Sequence, residues 1–249
     1  MEMTVEQMAR KLFLAHTKRE WRRMVDEAMS SHLSYEDFLK AVLSEEIKER
    51  CDSSVRLRIK EARFPYVRTF AELDWSAFPI EAADAIRELQ SLSFIDEGRN
   101  VIFVGNPGVG KTHLAISIGV EACRKNRHVL YVTVPNLITE LKESVSKKEY
   151  LQYKRKFVSY DLVILDELGY ISFDQEGSEL LFNLLSNRND SKSTVITTNL
   201  TFDKWPTLFG DTVMTAAMVD RLTNRASVVE ILGESYRVKQ TKKWLESPK

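Results

Sequence analysis

A three-layer α/β fold, with a five-stranded parallel sheet between helical layers and a small all-α region ahead of it, is predicted by three observations in this 249-residue chain. Short β-branched runs alternate with longer helix-patterned stretches beyond residue 65. One strand-to-helix junction among them carries a glycine-rich loop. Before residue 65 the apolar residues recur only at helical spacing.

The helical region comes first. From Thr4 to Arg63 the apolar positions Val5, Met8 and Leu12, then Trp21, Met24, Val25 and Ala28, recur at three and four residues. Ser34 with Asp37 three residues on reads as a helix start, and Tyr35, Phe38, Leu39, Val42, Leu43 and Ile47 then supply an apolar face. Arg56, Arg58, Lys60 and Arg63 precede Phe64-Pro65, where proline disfavours helix at the residue before it. The domain boundary is expected there, dividing residues 1–65 from 66–249.

Five strands are expected beyond the boundary: Val101 to Val104, His128 to Thr133, Leu162 to Leu165, Thr194 to Thr197 and Val228 to Leu232. Near-continuous apolar runs separated by helices imply parallel strands covered on both faces. In such sheets a ligand binds at the carboxyl ends of the strands.

The first of these ends carries Gly105-Asn106-Pro107-Gly108-Val109-Gly110-Lys111-Thr112, followed by His113 and the helix-like Leu114-Ala115-Ile116. This G-x-x-x-x-G-K-[ST] pattern lets the backbone curl so that its N–H groups face phosphate oxygens. Lys111 then reaches the outer phosphates and the Thr112 hydroxyl takes Mg²⁺. The positive end of the helix dipole adds to the same anion site.

Three further polar residues or pairs complete a constellation. The strand Leu162-Val163-Ile164-Leu165 ends in Asp166-Glu167, the form of a Walker B motif. Asp166 suits the Mg²⁺ shell, and Glu167 suits the orientation of an attacking water. Alone, an Asp-Glu pair also reads as a solvated turn. Asn199 ends the run Val195-Ile196-Thr197-Thr198, where its amide can sense the γ phosphate, although Asn is also common in turns and caps. Arg221 ends a helix-like segment, with Arg225 a turn later. A forked guanidinium there can stabilise phosphate charge from a neighbouring subunit or form a surface ion pair; Arg188 and Arg237 compete for the same or a related role.

Bulk composition narrows the class. Acidic and basic residues balance at 36 each, so no net field draws the chain to nucleic acid or anionic lipid. Two cysteines, Cys51 and Cys123, lack ligand or redox spacing, read as buried small side chains, and suit a reducing compartment. Without an apolar leader or a long uncharged apolar stretch, the expected location is cytoplasmic, with no membrane partner.

With these residues in order, the chain resembles the AAA+ ATPases and, within them, the IstB family of transposition helper proteins, related to the DnaC-type helicase loaders. The carrying segments are Phe94-Ile95-Asp96, Gly105 to Ile116, Asp166-Glu167-Leu168-Gly169-Tyr170, Met218 to Leu222 and Gly233-Glu234-Ser235-Tyr236-Arg237. The similarity also runs through Ala62-Arg63-Phe64-Pro65, so it spans nearly the whole chain. It implies an AAA+ core in residues 66–249 behind a partner- or DNA-interacting helical domain in residues 1–65. ATP and Mg²⁺ would be bound by Lys111, Thr112 and Asp166, with Glu167 at the hydrolytic step and Asn199 as first sensor. Arg221 would be an arginine finger across a subunit interface and Arg237 a second-sensor position, in a family whose helical lid is absent or vestigial.

The resemblance further implies ATP-dependent self-assembly on duplex DNA and its delivery to a partner transposase. A helicase loader would share every catalytic residue, and a small-molecule P-loop kinase is the reading from another class. For DNA contact the sequence offers Lys142, Lys147, Lys148, Lys154, Arg155 and Lys156, with Tyr150 and Tyr153 among them, and the tail Arg237, Lys239, Lys242 and Lys243. Both stretches read equally as solvated surface.

Overall fold

The computed structural model describes residues 3–188, 191–233, 235, 236, 238 and 245. Contacts divide the chain into two units, Met1–Leu57 and Arg58–Lys249. The first holds α1 (Val5–Lys11), α2 (Ala15–Ser30) and the greater part of α3 (Tyr35–Glu61). Thr4 and Gln7 cap α1 reciprocally: each backbone N–H donates to the other's side chain, at 3.0 and 3.2 Å. At the start of α3 the Asp37 N–H donates to Ser34 Oγ at 3.1 Å, the capping signal expected there.

No neighbouring side chain caps α2. Glu46 does so from α3: its buried carboxylate accepts from the N–H groups of Ala15 (2.8 Å) and Thr17 (3.0 Å) and from the Thr17 hydroxyl (3.2 Å). The apolar face expected on α3 stays in solvent along Tyr35, Leu39, Leu43 and Ile47, and Val5, Met8 and Leu12 are exposed likewise.

In the second unit, α3 ends at Glu61 and Arg63 takes a left-handed φ of 63° ahead of Pro65. Ala62 and Phe64 pack into this unit's core, so the contacts divide ahead of the proline. Then follow α4 (Ile80–Leu89), α5 (Ser93–Asp96), β1 (Val101–Gly105), α6 (Lys111–Arg124), β2 (Val129–Thr133), α7 (Val134–Ser146), α8 (Tyr150–Ser159) and β3 (Leu162–Leu168). The chain continues through α9 (Gln175–Ser186), β4 (Ser193–Thr198), α10 (Pro206–Phe209), α11 (Thr212–Thr223) and β5 (Ser227–Ile231).

The strands form one sheet in the order β2-β3-β4-β1-β5, and every pairing is parallel. Successive side chains leave a strand on opposite faces, so each apolar run feeds two cores. Val101, Phe103, Val129, Ile164 and Val195 pack with Leu114, Ile118 and Ile86 on one face. Ile102, Val104, Leu130, Val163 and Ile196 pack with Leu137, Leu184, Trp205 and Met218 on the other. This is the predicted α/β sandwich of helix, sheet and helix. Burial holds for Cys123, whose thiol it pushes up to about 12, but Cys51 on α3 is exposed.

Candidate functional site

The glycine-rich loop sits between the end of β1 and the first turn of α6. Gly108 and Gly110 have φ of 83° and 99°, a region that costs other residues about 1–2 kcal/mol. Gly108 also lies under Ser235: a Cβ there would stand 2.2 Å from Ser235 Oγ. The Tyr236 N–H donates to Gly108 O at 2.9 Å, so Ser235 and Tyr236 lie against the loop.

Lys111 opens α6, is buried, and points its ammonium back at the loop, donating to Gly105 O (2.6 Å) and Asn106 O (2.8 Å). Thr112 points across the sheet, its Oγ lying 3.0 and 3.1 Å from the two carboxylate oxygens of Asp166. Next to it, His113 Nε2 donates to Thr69 O at 3.2 Å.

Asp166 is 1% exposed. Besides Thr112 it accepts from the Tyr131 hydroxyl at 2.6 Å and from the Thr197 hydroxyl. Just beyond it the β3–β4 register slips: Leu165 pairs with Ile196 but Leu168 with Thr198, leaving one extra residue in β3. Glu167 occupies that bulge at φ 64°, exposed in a strand otherwise buried, with its N–H donating to Thr197 Oγ at 3.1 Å. A bulge re-aims a side chain, and here it turns a carboxylate out of the sheet into the cavity beside the loop.

That cavity has a volume of about 580 Å³. One wall is Gly108 to His113 and another is Glu167, Thr197 and Tyr170. The rest comes from Tyr236, in a segment that carries the resemblance, and from residues the sequence reading passed over: Tyr66, Arg68, Glu72, Phe78 and their neighbours. Their signal was thin, a T-x-x-E capping box at Thr69 and Glu72 shortly after Pro65. The Arg68 guanidinium, 2.6 Å from Glu72, holds that carboxyl below its ordinary range. Asn199 stands just past β4, but Thr197, two residues earlier, is the β4 residue lining the cavity. The Asn199 Oδ1 is buried without a hydrogen-bond partner.

The arginines separate cleanly. Arg221 does not line this cavity; it is exposed on α11, with its guanidinium 4.9 Å from the Phe182 ring centroid and donating to Ser186 Oγ. Arg188, a competing candidate in the sequence, is corrected: it is 1% exposed and donates to the carbonyls of Phe157 (2.8 Å), Tyr160 (2.9 Å) and Ser193 (2.8 Å). A guanidinium committed to three carbonyls inside the sheet-and-helix layer cannot reach another copy. Arg225 donates weakly to Glu97 O at 3.5 Å. Arg237, with Lys239, Lys242 and Lys243, lies outside the described residues.

The basic stretch runs through α7, the turn after it and α8. Lys142 pairs with Asp174 and Lys147 with Glu143, while Lys148, Arg155 and Lys156 are exposed. Tyr150 and Tyr153 pack against the core, and Tyr153 donates to Glu140 at 2.8 Å, so neither ring stands among the exposed lysines as a stacking surface. Among the described residues no helix is long and apolar enough to cross a membrane.

Comparison with known proteins gives a consistent picture. A family model described as "IstB-like ATP binding protein" matches residues 7–244. The ATP-binding protein of insertion sequence IS5376 from Geobacillus stearothermophilus is 34% identical over 240 residues, covering 96% of each chain. That of insertion sequence IS21 from Pseudomonas aeruginosa is 35% identical over 240 residues, 96% of this chain and 90% of its own. Among solved structures, the DnaC helicase loader superposes with a TM-score of 0.54 at 25% identity, over 61% of this chain and 89% of that one. DnaI superposes with a TM-score of 0.58 at 21% identity, over 71% and 94%.

Proposed function

Because this chain belongs to the IstB-like ATP binding protein family, we propose that it is a transposition-associated ATPase whose ATP site is completed by a second copy and whose assembly on DNA serves a partner transposase. The observation that carries this reading is the separation of the site's parts. The loop, Thr112 and Glu167 line one cavity, with Asp166 buried behind Thr112, while Arg221 is exposed on α11.

Within the cavity, Lys111 would turn from the carbonyls of Gly105 and Asn106 to the β and γ phosphates of ATP, joined by the N–H groups of the loop. Thr112 and Asp166 are oxygen donors in contact, a set that fits Mg²⁺, which takes one or two carboxylates and leaves other positions to water and phosphate. Bound there, Mg²⁺ would neutralise charge developing on the phosphates. Glu167 would accept a hydrogen bond from the attacking water and set its line of approach. Asn199, just past the end of β4, would register the γ phosphate, while Arg221 of one copy would enter the cavity of the next. A small-molecule kinase would draw its arginine from its own chain; a helicase loader would share the site and differ in its partner.

The test is size analysis of the purified protein with ATP and duplex DNA, each alone and together. The expected outcome is growth in size that needs both; a persistent monomer in all conditions would overturn the reading. Helicase capture without transposase capture would move the partner to replication.

A further inference from the structure

The hydroxyls around Asp166 are not equivalent. Thr112 lies within hydrogen-bond distance of both carboxylate oxygens, and it is also the hydroxyl that would leave for the cation. Once it leaves, the carboxylate is held by the protein through Tyr131 on Oδ2, at 2.6 Å, and Thr197 on Oδ1. Torsion about a carboxylate's last bond is broad, so without such donors the group would swing.

The sheet fixes Tyr131 for this task. It pairs with Ile164, which puts Asp166 two residues further along β3 on the same face. Its N–H donates to Ala62 O at 2.8 Å, its ring packs 6.1 Å from that of Phe64, and it is 7% exposed. On the other side Thr197 joins the two acids, donating to Asp166 and accepting from the Glu167 N–H.

We propose that Tyr131 is a positioning residue of the ATP site: its hydroxyl, with that of Thr197, locks the Asp166 carboxylate in the orientation that receives Mg²⁺. The proposal rests on the ATPase reading above. It separates Tyr131 from an ordinary core aromatic, because a packing role needs the ring and only a positioning role needs the oxygen.

The experiment compares the affinity of a fluorescent ATP analogue in Mg²⁺ and in EDTA for the wild-type chain, Tyr131→Phe, Thr197→Val and Thr197→Ser. In Tyr131→Phe and Thr197→Val the enhancement by Mg²⁺ should fall about tenfold, the scale seen when a metal ligand loses its outer hydrogen bond, while in Tyr131→Phe the affinity in EDTA holds. Thr197→Ser, which keeps the hydroxyl, should retain the enhancement. An unchanged Mg²⁺ enhancement in Tyr131→Phe would overturn the proposal, as would an equal loss in EDTA. If the wild-type chain bound no nucleotide in either condition, the ATPase reading itself would fail, a result distinguishable from the other two.

Discussion

At the scale of single residues, two buried charges, Glu46 and Arg188, have roles that the sequence concealed. Glu46 sits 31 positions from the helix end it caps, and no local pattern announces a partner so distant. Burial raises its pKa, but the hydrogen bonds from Thr17 and Ala15 outweigh that and hold the carboxyl below its ordinary range. The stabilisation is therefore complete above the unfolded pKa, near 4.3, and is lost as pH falls through the lower folded value. Glu46→Ala should cost about 2–4 kcal/mol, since several bonds to a buried carboxylate vanish and the start of α2 is left bare. Urea unfolding followed by helical circular dichroism measures this; in acid the wild type should lose its advantage over Glu46→Gln, and a constant gap from pH 7 to pH 3 would refute the assignment. Arg188 is the converse: an arginine after a helix reads as surface from sequence, and only the fold shows three carbonyls waiting for it.

At the scale of elements, the strands were legible because runs such as Val101 to Val104 and Leu162 to Leu165 are apolar on both faces, which a covered parallel sheet demands. The loop was legible because its chemistry is local: glycines for the turn, Lys111 and Thr112 at the helix start. The β3 bulge was not, because a register slip is set by the pairing of two strands and leaves no mark in either one. The same limit hid the wall formed by Tyr66, Arg68 and Phe78, which reaches the site only through the packing of a loop. It also made Tyr150 and Tyr153 look available, although they pack against the core from α8. The bulge carries a prediction of its own. With Glu167 at φ 64°, replacing it by Ala keeps the backbone strain of a left-handed residue, while replacing it by Gly removes that strain. Both variants lose the carboxylate and should lose turnover alike, yet Glu167→Gly should be the more stable by about 1 kcal/mol, less what the freer unfolded chain takes back. Thermal melts of the two proteins decide it, and an Ala variant as stable as the Gly variant would mean that the bulge relaxes.

At the scale of the whole molecule, the proposed division of the ATP site between copies would constrain how subunits meet. Arg221 and the cavity occupy different surfaces of one chain, so one copy's arginine reaching the next copy's cavity is a head-to-tail contact, which builds rings or open filaments. A symmetric dimer joined by one patch would not do this. The same geometry makes a complementation experiment informative. In Arg221→Ala the cavity keeps Lys111, Thr112 and Glu167 but receives no finger. In Glu167→Gln the cavity should bind ATP without turning it over, while the chain still presents Arg221. Neither protein alone should hydrolyse ATP at more than a small fraction of the wild-type rate, since a finger contributes about 10³-fold or more. Mixed in equal amounts with DNA and ATP, about one interface in four pairs an intact cavity with an intact arginine, and turnover should recover toward that fraction of wild type. Glu167→Gln suits the mixture better than Lys111→Ala, because a chain that cannot bind ATP would not be expected to enter an ATP-dependent assembly. Size analysis of the mixture establishes that the two chains assemble together. Co-assembly without recovered turnover would show that Arg221 serves its own chain or none, and the interface completing the site would have to be sought on another face of the second unit.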